Sequence, residues 1–418
     1  MVVAGNPWGE RFGFGGQGLI GFCFAIPFVL LSGFAGQVAD RRSKRTVTRW
    51  VKAVEIPIAL IGGIGFYTDN AWITLLALIA LACQSSFFGP AKYGMIPELV
   101  DESDLSRANG TINMMTNVAV ILGTMIGGMV KGLYSPNPDV DPTGVVAPAA
   151  EGLMWLPGVT LLVIALAGFV AMMFMMPVKV GDPNLKYNYN PFATYIDVIR
   201  EMSKTRLLMV MMAWGYFYLL ATIALNILLE YESLLNIESD EASLLMAVLG
   251  VSVGIGCAAA GLISGHHIEP RLVPIGAAGL TVFFVLLGAL PPTLPELPKY
   301  VRVVFSNHGL LIFGAGFSSG FYIIPLQSLL QKLSPDEERG RFLGTANAVS
   351  FSFMAVSSLL FAFMRLAFND ENAYQMFYVC AALMAVGAVF FLWRLRGTGI
   401  IFGKRAENEA VDSGEAKT

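Results

Sequence analysis

Charge is scarce in this sequence. Asp, Glu, Lys and Arg together make up 14% of the 418 residues, whereas an ordinary soluble domain has about 25%. Hydrophobic residues make up 55%, and the mean hydropathy is +0.64. A water-soluble globule of this size could not bury so much apolar surface, so the composition excludes a soluble enzyme. The net charge of −3 and the lack of a long basic stripe also argue against nucleic acid as a partner.

Residues that carry redox or metal chemistry are equally rare. All four cysteines lie inside apolar stretches, which is typical of small packing residues rather than disulfides or ligands. The three histidines have no helical metal-site spacing with acids or thiols. No Walker or dinucleotide motif occurs, which argues against an ATP-driven pump. We therefore expect no enzyme activity, no metal and no cofactor.

Long apolar stretches dominate what is there. A membrane-spanning helix needs about 20 predominantly apolar residues, and the sequence contains eleven stretches of roughly that length. It therefore predicts an all-α polytopic membrane protein. The first ten residues contain no Lys or Arg, so we expect no cleavable signal peptide. The stretches cover approximately residues 14–38, 47–67, 71–88, 108–131, 155–177, 206–229, 242–264, 272–291, 302–328, 342–366 and 373–394.

Lys and Arg residues set the orientation, because cytoplasmic loops carry an excess of both. If the loop from Asp40 to Arg45 is cytoplasmic, alternation puts 22 of the 27 basic residues inside. The N-terminus is then outside and the C-terminus inside. The outer side keeps only Arg11, Lys131, Lys299, Arg302 and Arg365.

The longest cytoplasmic connection divides the predicted helices into two groups. Residues 1–177 form an N-terminal half of five helices, and 206–395 form a C-terminal half of six. The middle loop, 178–205, contains a segment from Pro191 to Arg206 that is either an interfacial amphipathic helix or a plain linker. Residues 396–418 are predicted to be a disordered cytoplasmic tail.

Two loops recur along the chain. The segment Leu99–Arg107 resembles Leu333–Arg341, and each precedes a predicted span. A weaker pair is Gly36–Arg45 with Gly261–Arg271. Repeats of this kind are expected in secondary transporters built from two six-helix halves. Within the C-terminal half two spans precede the Gly261–Arg271 loop, whereas within the N-terminal half only one span precedes the Gly36–Arg45 loop. The pattern is therefore that of a twelve-helix fold lacking its first helix.

The loop Gly36-Gln37-Val38-Ala39-Asp40, followed by basic residues, resembles the signature between the second and third helices of the major facilitator superfamily. The glycine allows close helix approach, and the acid can sit against the positive N-terminal end of another helix, locking a cytoplasmic gate. The alternative is that the run is only a positive-inside anchor. The gate candidates are Asp40, Arg41, Arg45, Lys92, Arg107, Glu337, Glu338 and Arg341.

A second resemblance is more specific. The stretch Phe87–Leu99, with its Gly-Pro-Ala-Lys-Tyr-Gly core, is similar to the lysophospholipid transporter family, as are Arg107–Gly110, Ile121–Thr124, Gly320–Leu326 and Glu337–Arg341. The resemblance implies inward movement of lysophospholipid across the bacterial inner membrane for re-acylation. Because members occur alone or fused to a lysophospholipid acyltransferase, such an enzyme is a possible partner. The alternatives are another facilitator that exports drugs or metabolites, and a non-transporting membrane scaffold for an acyltransferase.

Two features depart from that family. Its first helix, with an acidic Asp-Asn pair, has no counterpart here. Its seventh helix carries a basic residue, whereas Leu207–Pro270 contains no Lys or Arg and offers Trp214, Tyr218 and Asn226 instead.

Charges inside spans are costly, so Lys52 and Glu55, three residues apart on one helix face, are the first candidates for a substrate cavity. Their alternative role is a structural ion pair near the inner interface. Uncharged polar residues complete the set and are more commonly used for interhelical hydrogen bonds. The full list of cavity candidates is Lys52, Glu55, Gln84, Asn113, Asn117, Trp214, Tyr218, Asn226 and Asn347.

Overall fold

A computed structural model of the chain describes residues 16–134, 152–237 and 239–396. In these three ranges every regular element is a helix. Most of the long outer loop near residue 140 and the predicted tail lie outside the described residues. The helices of 13 residues or more are α1 Gly16–Arg41, α2 Lys44–Tyr67, α3 Ala71–Leu99, α4 Leu105–Tyr134, α5 Leu156–Met173, α6 Pro191–Ser203, α7 Leu207–Leu229, α8 Ser239–Ser264, α9 Leu272–Ala289, α10 Asn307–Leu333, α11 Arg339–Ala367 and α12 Phe377–Arg396.

Eleven of the described helices are long and apolar enough to cross a membrane, which confirms the predicted number. Helices are expected because lipid offers no partner for backbone N–H and C=O groups, so each span must satisfy its own. The remaining long helix, α6, has 13 residues and falls inside the predicted middle loop. This segment is therefore helical rather than a plain linker, and its position at the membrane interface stays a prediction.

The described chain forms two compact units. Unit 1 comprises Met1–Glu98, Leu122–Ile196 and Pro335–Ala348, and unit 2 comprises Leu99–Ile121, Asp197–Ser334 and Val349–Thr418. Each unit thus includes the beginning of one helix from the other predicted half. The division of the sequence into halves at the middle loop stays a prediction.

Glycines set the closest helix contacts inside each unit. In unit 1, a Cβ added at Gly63 of α2 would lie 2.9 Å from the Cα of Gly158 in α5. In unit 2, a Cβ at Gly320 of α10 would lie 2.1 Å from the carbonyl carbon of Gly256 in α8. Small residues allow such backbone contact between membrane helices, which is how helices pack when lipid removes the hydrophobic driving force.

The glycines of α4 behave differently. Gly123, Gly127, Gly128 and Gly132 have no heavy atom within 4 Å of an added Cβ in the described structure. The i, i+4 spacing of these glycines is typical of close packing between membrane helices, but none of the four makes such a contact in the part of the chain that is described. The same spacing at Gly250 and Gly316 does accompany close packing, against Ile121 and Ser252 respectively.

We expect Gly320→Ala to lower stability by about 1–3 kcal/mol, the usual cost of overpacking a tight contact. The added methyl group meets backbone of α8, which cannot rotate away as a side chain could. The measurement is the thermal unfolding midpoint of the purified protein in detergent. Gly127→Ala is the matched control, since its methyl group meets nothing, and a midpoint lowered equally by both changes would contradict the packing argument.

Candidate functional site

The end of α1 meets the beginning of α11 at Asp40, as the gate signature predicts. Asp40 is fully buried, and its carboxylate accepts hydrogen bonds from the backbone N–H of Gly340 at 2.5 Å and of Arg341 at 2.8 Å. The first N–H groups of a helix have no partner within the helix, and the helix dipole places partial positive charge there. Asp40 therefore caps α11 from a distant part of the sequence, and both segments belong to unit 1.

Three glycines make this contact possible. A Cβ on Gly36 would lie 2.4 Å from the carbonyl oxygen of Gly340, and one on Gly344 would lie 2.2 Å from the carbonyl oxygen of Ser32. The two helices thus touch through their backbones. The side chain of Asn347, one of the predicted cavity residues, donates to the hydroxyl of Ser32 at 3.0 Å and so strengthens the crossing.

The gate signature together with the repeat also predicts Arg41 or Arg45 near Glu337 and Glu338. In the structure Glu338 pairs with Arg341 of its own helix. Arg41 instead lies over the ring of Tyr187, with its guanidinium carbon 4.4 Å from the ring centre. Glu338 and Arg341 are three residues apart, so their opposite charges pair within one helix. The Arg41 guanidinium binds the face of an aromatic ring instead.

Lys44 and Glu98 form an ion pair that the sequence interpretation missed. Lys44 is fully buried, and its side chain lies against the position where Gly94 would carry a Cβ. The lack of a side chain at Gly94 thus leaves room for the Lys44 stem, and Glu98 neutralises the amine. The α3 motif contains both residues that contact Lys44, Gly94 in its Lys-Tyr-Gly part and Glu98 in its Pro-Glu part. Nothing in the sequence identifies Lys44 as their partner.

A second crossing, in unit 2, repeats the first. A Cβ on Gly110 of α4 would lie 2.6 Å from the carbonyl oxygen of Cys257 in α8. The segment from Arg107 to Asn113 has the same Arg-x-x-Gly-Thr-x-Asn pattern as the segment from Arg341 to Asn347. In both, the threonine hydroxyl donates to the arginine carbonyl oxygen at 2.9 Å. The internal repeat is therefore present in the packing as well as in the sequence.

The two crossings differ in their polar contacts. In the repeat, Gly36 corresponds to Gly261 of α8. Asp40 lies four residues after Gly36, and the equivalent position, four residues after Gly261, is Gly265. Unit 2 instead has a buried amide cluster around Asn109. The Asn109 side chain donates to Gln331 at 2.6 Å and to Ser328 at 3.1 Å, and Gln327 donates back to it at 3.0 Å. The first crossing is therefore capped by a charge, whereas beside the second crossing neutral amides bond α4 to α10.

Two predicted cavity residues belong to helix packing in unit 2. Asn113 donates to the side-chain oxygen of Gln327 at 3.1 Å. Asn117 donates to the carbonyl oxygen of Asn113 at 2.9 Å and lies beside Gly254. Arg107, a predicted gate residue, is exposed at the start of the same helix.

The remaining cavity candidates of unit 1 form a partly buried polar group. The Lys52 amine lies 2.7 Å from a carboxylate oxygen of Glu55, and Gln84 of α3 donates to that same oxygen at 3.2 Å. The Lys52 amine also lies 5.2 Å from the centre of the Phe88 ring. Lys92 follows Phe88 by one helical turn and is partly buried. The arrangement is a neutral ion pair that retains some access, with 21% of the Lys52 side chain exposed.

The aromatic candidates lie on α7 in unit 2. Trp214 and Tyr218 are in edge-to-face contact with ring centres 5.0 Å apart. The indole N–H of Trp214 is buried and has no hydrogen-bond partner within the described structure. Asn226 is partly buried two turns further along α7.

Comparison with known proteins gives one family and one recurrent name. The family model for the Major Facilitator Superfamily matches residues 2–358. A lysophospholipid transporter of Cronobacter sakazakii is 28% identical over 352 residues, covering 80% of this chain and 74% of the relative. The corresponding protein of Yersinia pestis strain Pestoides F is 24% identical over 342 residues, covering 80% and 73%.

Solved structures share the fold at low identity. The human organic anion transporter MFSD10 has a TM-score of 0.70 at 14% identity, covering 90% of this chain and 83% of that one. The transporter FucP in its outward conformation has a TM-score of 0.68 at 13% identity, covering 91% and 90%. A bacterial homologue of ferroportin has 0.62 at 16%, covering 92% of both.

We expect Asp40→Asn to weaken the cap on α11. An amide keeps the shape but loses the charge, and it presents an NH₂ group to one of the two N–H groups. The loss is up to about 2 kcal/mol for a partly buried charge at a helix end, which corresponds to about 30-fold faster exchange of the Gly340 and Arg341 amides. Hydrogen–deuterium exchange of the peptide that contains them is the measurement.

Asp182→Asn is the control, because its carboxylate accepts a hydrogen bond from the backbone N–H of Asn184 in its own loop, and an amide oxygen can accept the same bond. Unchanged exchange at Gly340 and Arg341 in the Asp40 variant would show that the carboxylate does not hold this helix end.

Proposed function

The chain belongs to the Major Facilitator Superfamily as a multi-pass membrane transporter, and we propose that it moves lysophospholipid across the bacterial inner membrane by alternating access. One observation carries the choice of substrate: the relatives that align with 80% of the chain are named as lysophospholipid transporters.

The chemistry of the Lys52–Glu55 group supports the same substrate. A lysophospholipid with an ethanolamine headgroup carries one positive and one negative charge, and this pair offers one of each on one helix face. Gln84 adds a neutral amide that is already bonded to Glu55. A zwitterion can exchange partners with such a pair without leaving a bare charge inside the membrane.

The two crossings support alternating access. Access from the cytoplasm requires α1 to leave the beginning of α11, and α4 to leave α8. The first step breaks the two hydrogen bonds to Asp40. The second step moves α4, which the amide cluster bonds to α10. The carboxylate, amide and N–H groups of both contacts can form hydrogen bonds with water instead. Opening toward the cytoplasm therefore exchanges protein hydrogen bonds for water hydrogen bonds at a modest cost in free energy.

Orientation and partner follow from the same proposal. The basic residues place both crossings on the cytoplasmic side, where lysophospholipid would be delivered inward. A re-acylating enzyme consumes the delivered lipid, so a lysophospholipid acyltransferase is the proposed partner.

Cells that express the chain should take up labelled lysophosphatidylethanolamine faster than cells that do not, because inward movement exposes the lipid to re-acylation. The measurement is labelled lipid retained in spheroplasts, with a cell line expressing Asp40→Asn as a comparison for gating. A chain that inserts normally yet moves no lysolipid of any headgroup would contradict the proposal. Efflux of a drug or metabolite in the same cells would then favour the exporter.

For Lys52 and Glu55 we expect each single alanine substitution to reduce stability more than the double substitution. Removing one partner leaves an uncompensated charge, which costs about 3–5 kcal/mol when fully buried and less for this partly exposed pair. The measurement is the unfolding midpoint together with lysolipid uptake. If the pair contacts the headgroup, the double variant folds normally and fails to transport. A double variant with normal uptake would restrict the pair to a structural role.

A further inference from the structure

The segment that follows α5 lies along the cytoplasmic end of α1 in unit 1. We call residues Gly181–Tyr195 the strap. The backbone N–H of Asp182 donates to the carbonyl oxygen of Asp40 at 3.0 Å. A Cβ on Gly181 would lie 2.7 Å from the carbonyl oxygen of Glu337. The strap therefore begins at the point where Asp40 meets α11.

Gln37 fixes the middle of the strap. Its side-chain oxygen accepts from the backbone N–H of Asn188 at 2.7 Å, and its NH₂ group donates to the Asn188 carbonyl oxygen at 3.0 Å. The NH₂ group also donates to the hydroxyl of Thr194 at 2.8 Å. Both Gln37 and Thr194 are buried. One amide thus binds both backbone groups of one residue, as a neighbouring strand would.

Tyr195 is the last residue of the strap, and its hydroxyl lies between two backbone groups of α1. Its hydroxyl accepts from the backbone N–H of Gly33 at 2.9 Å and donates to the carbonyl oxygen of Val29 at 2.6 Å. These two backbone groups are four residues apart, the pair that bonds directly in a regular α-helix. A side chain inserted there is a recognised cause of helix bending.

The site is built for the tyrosine. A Cβ on Gly33 would lie 2.6 Å from Cε1 of Tyr195, so only glycine leaves room for the ring. Burial raises the pKa of the Tyr195 phenol above its usual value. The group therefore stays neutral and keeps the proton with which it donates to Val29.

We propose that the strap holds the last two turns of α1 where Asp40 reaches α11, with Tyr195 as the positioning residue at a hinge between Val29 and Gly33. The inference deepens the proposed transport function by adding a regulator of its cytoplasmic gate. The hydroxyl satisfies both backbone groups of the hinge, so α1 can bend there without leaving either group unpaired in the membrane.

The test measures access to the crossing directly. Ser32 is fully buried at the crossing, and the equivalent position in unit 2 is Cys257, so Ser32→Cys is a mild change. In a full-length chain whose four native cysteines are replaced by serine or alanine, Cys-directed labelling at position 32 with a membrane-impermeant maleimide is followed in inside-out vesicles. Tyr195→Phe removes two hydrogen bonds, and we expect labelling about five- to thirty-fold faster.

Tyr189→Phe is the matched control. It removes a hydroxyl from the same strap, where the side chain is 79% exposed, and should leave the labelling rate unchanged. Equal labelling rates in Tyr195→Phe and its parent would overturn the proposal.

A second comparison holds even if Tyr195→Phe folds poorly. Gly33→Ala should speed labelling several-fold while the ring is present, because the methyl group displaces it. In a Tyr195→Ala background the same change should add nothing. An equal effect of Gly33→Ala in both backgrounds would overturn the strap.

Lysolipid uptake by spheroplasts that express the same variants separates the two proposals. If no variant transports but the labelling rates change as expected, the strap stands and the substrate assignment fails. If the parent transports and labelling is insensitive to Tyr195, the substrate assignment stands and the strap fails.

Discussion

The contact on which the rest of unit 1 depends is the Asp40 carboxylate at the N-terminal end of α11. It satisfies two N–H groups that the helix cannot satisfy itself and places a full negative charge at the positive end of the dipole. The contact demands that two backbones touch, which explains glycine at positions 36, 340 and 344. The end of α1 is also bonded to the strap through Gln37, and the Lys44–Glu98 pair joins the beginning of α2 to the end of α3.

The repeat shows what is common to both crossings and what is particular to one. The glycines and the Arg-x-x-Gly-Thr-x-Asn pattern are shared, because both crossings need close backbones and a regular helix start. The charge is particular to unit 1, and the Asn109 amide cluster is particular to unit 2. Protonation of the Asp40 carboxylate would remove the charge that caps α11, whereas neutral amides have no charge to lose. The two crossings therefore differ in how they respond to acid.

Hydropathy predicted the eleven spans, because each span must be apolar on its outer surface and must pair its own backbone N–H and C=O groups. The resemblance to the facilitator loop signature predicted Asp40 against the N-terminal end of another helix, and the structure has it at the beginning of α11. Neither could predict Arg41 over Tyr187 or Tyr195 at Gly33. Those contacts join residues more than a hundred positions apart, and no local pattern distinguishes their partners from other aromatic or basic residues.

Two lysines in the spans of unit 1 share a feature that bears on function. Lys44 is neutralised by Glu98, and Lys52 by Glu55, each within unit 1. A transporter must rearrange its helices without exposing a lone charge to lipid, which costs about 2.5–3.5 kcal/mol or more. Pairs that move as one unit avoid that cost. The Lys44–Glu98 pair is closed around Gly94. The Lys52–Glu55 pair retains exposure, which is why the proposed function assigns it to the zwitterionic substrate.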